Sequence, residues 1–151
     1  NMNNTYKITT KSDEETIEVA QNLESEKFPN MVICLNGDLG SGKTVFTKGF
    51  ASAMAIEDVT SPTFNIIKEY IGELPLYHID VYRTNGKIDN LGVEEYFDKG
   101  GVTIIEWAEM IEDVLPLERL DITFKITGEN SRVMLITPHG EKYIRVCEDA
   151  L

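Results

Sequence analysis

Residues 37–44 read Gly-Asp-Leu-Gly-Ser-Gly-Lys-Thr, and they follow closely on the continuous apolar run of residues 31–35. Few local sequences restrict a fold so strongly. The spacing is G-x-x-x-x-G-K-[ST], which requires a strand before it and a helix after it. A short apolar run that meets glycine at once reads as a parallel strand buried on both faces. Beyond the glycines, Phe46, Phe50, Ala53 and Met54 recur at i, i+4, i+7 and i+8, one apolar face of a helix. Strand, glycine loop and helix in that order predict an α/β unit built to hold phosphate.

Each position has a reason in the chemistry. Gly37 lets the chain turn off the strand. Gly40 and Gly42 let backbone N–H groups converge on phosphate oxygens with no Cβ in the way. The helix that follows presents its positive N-terminus to the same oxygens. Lys43 reaches the β- and γ-phosphates, and the Thr44 hydroxyl is offered to magnesium. Leu39, Ser41 and Val45 complete the nucleotide-binding set, the last two through their backbone donors. The expected cofactors are therefore ATP and Mg2+.

Such a loop needs a carboxylate at the end of another core strand, to hold magnesium or orient water. Two positions qualify. Asp80 ends the run Leu76-Tyr-His-Ile79, and Glu106 ends Val102-Thr-Ile-Ile105. Carboxyl ends of parallel strands face the ligand crevice. Which of the two meets the metal is open on the residues alone. Lys43, Asp80 and Glu106 are the expected catalytic set. His78 reads as a hydrogen-bonded core or edge residue. Trp107 reads as a packing residue beside the site, and His139 as a turn residue with no role.

The rest of the chain frames this unit. Residues 6–9 suggest a short strand. Ser12 offers a helix N-cap with Glu15 as capping-box partner, and the helix is expected to run toward Pro29. Residues 65–70 and 74–79 predict a hairpin turning at Gly72. Residues 90–97 suggest a short helix, and residues 102–105 another buried strand. Residues 120–127, 132–137 and 142–146 read as a strand meander turning at Gly128 and at Pro138-His139-Gly140. The expected fold is α/β and P-loop NTPase-like: a mostly parallel central sheet, residues 31–35 in its middle, extended by C-terminal antiparallel strands.

With 151 residues and 42% apolar content the chain suits one domain, taken as residues 2–151. Asn1 before Met2 reads as an expression remnant. The N-terminus is polar, and no run approaches the roughly 20 apolar residues of a membrane span. Cys34 and Cys147 sit in apolar, strand-like runs and read as buried thiols. Together these features predict a cytoplasmic protein that does not engage membranes. The formal charge of −12 argues against direct tRNA or other nucleic-acid binding.

Guanine specificity normally needs Asn-Lys-x-Asp, which does not occur. A small-molecule kinase usually carries an arginine-rich lid, but Arg83, Arg119, Arg132 and Arg145 are widely spaced. Residues 38–44, Ser61-Pro-Thr-Phe64, His78-Ile-Asp-Val-Tyr-Arg83 and Glu106-Trp107 occur in that order. With them the chain resembles the bacterial TsaE (YjeE) family of ATPases over essentially its whole length. The resemblance implies ATP hydrolysis in the making of threonylcarbamoyladenosine in tRNA. With Arg83 the one arginine within the motifs, that hydrolysis is expected to be slow until a partner completes the site. The implied partner is the TsaD–TsaB complex. It also implies that Thr44 and Glu106 are magnesium ligands, with Asp80 the second acidic group at the metal or its waters. Ser61 and Thr63 would lie in a nucleotide-sensing loop, and Thr10 or Ser12 would contact nucleotide. Ser41 stands where alanine is common and Val45 where a second threonine is frequent. The alternative reading is a P-loop kinase of a small metabolite, and a third is a nucleotide-binding regulator with negligible turnover.

Overall fold

The run at residues 31–35 does become the middle of the sheet. In the computed structural model, which describes residues 4–60, 66–82 and 92–151, strand β2 (Val32–Asn36) is buried from Val32 to Leu35. It pairs in parallel with β5 (Val102–Glu106) on one edge and with β6 (Arg119–Ile126) on the other. The seven-stranded sheet runs β1-β7-β6-β2-β5-β4-β3. Here β1 is Tyr6–Thr10, β3 Ile67–Tyr70, β4 Leu76–Asp80 and β7 Arg132–His139. β4 lies parallel to β5, and β3 closes one side as the antiparallel partner of β4 around Gly72. The parallel centre with antiparallel edges is the expected architecture.

Alternation along the strands sorts the residues onto two faces. Ile33, Leu35, Leu76, Ile104, Leu120 and Ile122 join the core under helices α1 (Asp13–Glu24), α2 (Lys43–Ala53) and α3 (Glu141–Ala150). Val32, Cys34, Ile79, Val81 and Ile105 pack on the other face, against residues of the 3-10 helices Val93–Asp98 and Ala108–Val114. His78 and Asp80 alternate with Ile79 and Val81, and Glu106 follows Ile105. All three therefore lie on the face covered by α2.

Helix α1 begins as its sequence predicts. Ser12 Oγ accepts from the Glu15 N–H at 3.1 Å, and Glu15 Oε1 accepts from the Lys11 N–H at 2.7 Å. The helix stops at Glu24, short of Pro29. Residues 90–91 lie outside the described residues, and the turn after them is the 3-10 helix Val93–Asp98.

The tail departs from expectation in two ways. β6 joins β2 in parallel, so antiparallel pairing starts only at β6–β7 and continues to β1. Residues 142–146 are helix α3, not a strand. Lys-Tyr-Ile-Arg-Val has the aromatic and β-branched content of a strand, but the buried positions are Tyr143, Val146 and Cys147, at i, i+3 and i+4. Gly140 breaks the strand at φ 102°, two residues later than expected, so Pro138 and His139 stay in β7. Cys147 is thus a helical residue; it and Cys34 are both buried free thiols. His139 is no idle turn residue either, because its Nε2 lies 2.8 Å from Asp121 Oδ2. No helix among the described residues is long and apolar enough to cross a membrane.

Helix α3 is fastened to the central strand by one hydrogen bond. The Val32 N–H donates to Tyr143 Oη at 2.8 Å, one residue before the β2–β6 ladder begins. Burial pushes the Tyr143 phenol up to about 12. Tyr143→Phe keeps the ring against Phe28 and leaves the buried Val32 N–H unpaired. The expected loss is about 1–3 kcal/mol in urea unfolding at neutral pH. Between about pH 10, the unfolded value, and pH 12 the folded chain holds the phenolic proton more tightly. Stability therefore falls as pH rises through that window, and the Phe variant loses that part of the slope.

Candidate nucleotide site

The loop at residues 37–42 leaves β2 and enters α2 through three glycines of positive φ. Two of them are required, Gly37 by its surroundings and Gly42 by its backbone conformation. A Cβ on Gly37 would lie 2.7 Å from Ser41 Oγ and 2.8 Å from the Phe124 carbonyl oxygen. Gly42, the residue before the helix, has φ 116°, and a Cβ there would meet the Phe124 ring at 3.4 Å. Phe124, on β6, is thus the floor on which the loop rests, and it also stacks edge-on against Phe46 of α2. Leu39 is 71% exposed at the loop tip. Thr44 and Val45 are the second and third residues of α2.

Lys43 is buried, and its Nζ turns back onto the loop. It donates to the carbonyls of Gly37 and Asp38, the latter at 2.9 Å. It also lies 4.1 Å from the centre of the Trp107 ring, which in turn stacks on Tyr82 at 4.5 Å. Burial pushes the ammonium below its ordinary value, while the carboxylates of Glu106, Glu109, Asp80 and Asp38 pull it back up. The Ser41 N–H, expected to face phosphate, bonds instead to the Asp38 carbonyl at 3.1 Å. The Ser41 hydroxyl is buried with no hydrogen-bond partner among the described residues. The loop therefore satisfies part of its own donor set.

The two acidic strand ends meet as expected. Asp80 and Glu106 are direct partners in the parallel β4–β5 register, and both face α2. Asp80 accepts from the Tyr82 N–H at 3.0 Å. Burial pushes the Asp80 carboxyl up; that N–H bond opposes the shift and the Glu106 charge adds to it. Glu106 is 3% exposed, with Oε2 held 2.6 Å from Nε2 of the fully buried His78. The donor set of Thr44 hydroxyl and two carboxylates is all hard oxygen, which suits magnesium.

Thr10 and Ser12 each already hold a partner at the hydroxyl. Thr10 Oγ1 bonds Thr16 Oγ1 at 2.8 Å in the interior, and the Ser12 hydroxyl caps α1. Their surroundings still reach the loop, because Thr10 pairs with Arg132, whose guanidinium donates to the Gly40 carbonyl at 3.1 Å. Ser61, Thr63 and Arg83 lie outside the described residues.

Three neighbours escaped the sequence reading. Arg132 belongs to a strand 92 residues from Gly40, and no local pattern announces that contact. Glu109 is exposed to solvent on one side and lies within the field of Lys43, its N–H held by Asn36 Oδ1 at 2.9 Å and its carboxyl pushed up by partial desolvation. Its spacing from Glu106 was the available signal. The third is the bond between His78 and Glu106.

Comparison with known proteins agrees with this geometry. The family model described as threonylcarbamoyl adenosine biosynthesis protein TsaE matches residues 10–134. The chain belongs to the TsaE family. The TsaE of Bacillus subtilis (strain 168), called a tRNA threonylcarbamoyladenosine biosynthesis protein, is 48% identical over 142 residues, 93% of this chain and 90% of that one. The TsaE of Rickettsia bellii is 36% identical over 131 residues, covering 83% and 90%. The crystal structure of Bacillus YdiB superposes with a TM-score of 0.87 at 44% identity, covering 99% of this chain and 96% of that one. The likeness to TsaE relatives thus spans the phosphate loop, both acidic strand ends and the β6–β7 hairpin.

The tight seat of the loop has a measurable consequence. Gly37→Ala places a methyl group against the Phe124 carbonyl, which belongs to a central strand and cannot yield easily. The expected loss is about 1–3 kcal/mol, read as a fall in thermal midpoint without nucleotide. An unchanged midpoint would show that the loop does not rest on β6.

Proposed function

We propose that this chain binds ATP with magnesium and hydrolyses it slowly, in support of threonylcarbamoyladenosine formation in tRNA. One arrangement carries the reading: a glycine loop between β2 and α2 whose lysine faces two carboxylates from adjacent parallel strands. Membership of the TsaE family supports the assignment to tRNA modification, and we place that work in the cytoplasm. Magnesium, when bound, would neutralise charge on the β- and γ-phosphates, held by Thr44 and Glu106 with Asp80 at the metal or its waters. Lys43 would exchange the Gly37 and Asp38 carbonyls for phosphate oxygens. The α2 N-terminus and the loop N–H groups would complete the cradle.

Among the described residues few cations lie near the loop. Lys43 is surrounded by carboxylates, and Arg132 is bound to the loop backbone. Hydrolysis by the isolated chain should therefore be slow, and the TsaD–TsaB complex, as partner, should accelerate it by completing the charge around the γ-phosphate. At a formal charge of −12 the chain should not hold tRNA by itself at physiological salt.

Lys43→Ala should lower ATP affinity by about ten- to a hundredfold in calorimetry, since charge-assisted bonds are worth about 1.5–3 kcal/mol each. Its fold should survive, because the Nζ meets loop carbonyls and a ring face and not the main core. Glu106→Ala and Asp80→Ala should reduce phosphate release more than nucleotide binding. Unchanged affinity in Lys43→Ala would refute the site. A phosphorylated small molecule in place of free phosphate would favour the kinase reading.

The place in tRNA modification is tested separately. Depletion of the protein should remove threonylcarbamoyladenosine from tRNA nucleosides, and added TsaD–TsaB should raise ATP turnover. Fast turnover that ignores the partner, or salt-resistant tRNA binding by the chain alone, would contradict the scheme.

A further inference from the structure

His78 is completely buried, yet it is neither a simple core residue nor a group that meets the nucleotide in the reading above. It stands opposite Ile104 in the β4–β5 register, so Glu106, two residues along β5, is its diagonal neighbour on the same face. The His78 Nε2 to Glu106 Oε2 distance is 2.6 Å, and both side chains are shut off from water. An ionised carboxylate can only accept, so Nε2 carries the proton and donates it. The other ring nitrogen, Nδ1, has no hydrogen-bond partner among the described residues. An apolar side chain would fill this space without leaving a buried polar atom unpaired. The imidazole is therefore explained by its single bond to Glu106.

We infer that His78 is a positioning residue for the metal at Glu106. By occupying Oε2 it fixes the carboxylate plane and leaves Oε1 to the ion. That favours one-oxygen coordination, because the Oε2 lone pair facing His78 is taken. Magnesium, small and strictly octahedral, is suited to a single carboxylate oxygen among waters, whereas calcium readily takes both oxygens of one carboxylate. His78 thus favours magnesium over calcium, as partners behind a ligand orient it elsewhere. The inference rests on the proposal that Glu106 meets magnesium.

The test is calorimetric titration of Mg2+ and of Ca2+ into protein saturated with a non-hydrolysable ATP analogue, beside analogue binding in EDTA. His78→Leu removes the donor at similar volume. It should weaken Mg2+ by about tenfold or more and Ca2+ by much less, with metal-free analogue binding within about twofold of wild type. His78→Gln retains an N–H donor and should keep the Mg2+ preference within about threefold. Wild-type metal affinities in His78→Leu, or equal losses for both ions, would overturn the inference. Should His78→Leu show no cooperative unfolding, His78→Gln decides, and its loss of the Mg2+ preference would count against the donor role. Glu106→Ala separates the two levels. If it leaves Mg2+ affinity unchanged, the metal assignment itself fails. If it abolishes Mg2+ binding while His78→Leu does not weaken it, only the role of His78 fails.

Discussion

Strand β2 is held on both edges by parallel neighbours, and the geometry of the site follows from that pairing. Because β6 lies on one side, its Phe124 supplies the floor against which the glycine loop turns. Because β5 lies on the other, Glu106 comes level with Leu35 at the strand's carboxyl end. β4, parallel to β5, then sets Asp80 beside Glu106. No loop has to carry these two acids into position. Strand register does it, and register in a sheet buried on both faces resists slippage, since a one-residue shift would move every side chain to the other face.

Charge is the second constraint. The neighbourhood of Lys43 contains four carboxylates, and the whole chain has a formal charge of −12. Such a site would repel a nucleotide alone. With a divalent cation the balance changes, because the carboxylates then face the metal and the lysine faces the phosphates. In the structure Lys43 is held by two carbonyls and the Trp107 ring. Nucleotide must replace two charge-assisted bonds and one ring contact. The lysine is kept near its working place without being locked there.

Much of this was legible in the residues. The loop, its strand and its helix were readable because glycine spacing and apolar periodicity are local signals. The two acids were readable because each ends an apolar run. What failed was also local. Residues 142–146 are aromatic and β-branched but too few to separate a strand from a helix; only Cys147 and Ala150 extend the helical spacing from Tyr143. Sheet order was beyond local reading, since nothing near residue 120 states that β6 runs parallel to β2. The hydrogen bond from His78 to Glu106 and the contact from Arg132 to Gly40 were hidden for the same reason. Each joins residues far apart in sequence, brought together by the sheet.

The central claim is that Lys43 leaves the loop carbonyls and the Trp107 ring for the phosphates of a magnesium-bound nucleotide. Trp107 is the chain's single tryptophan, and the Lys43 Nζ lies 4.1 Å from its centre. Its fluorescence therefore reports that movement without a label. Titration of MgATP should change the emission saturably, at one nucleotide per chain, with a much weaker response when magnesium is withheld. Emission that stays constant while equilibrium dialysis shows the nucleotide bound would contradict the account.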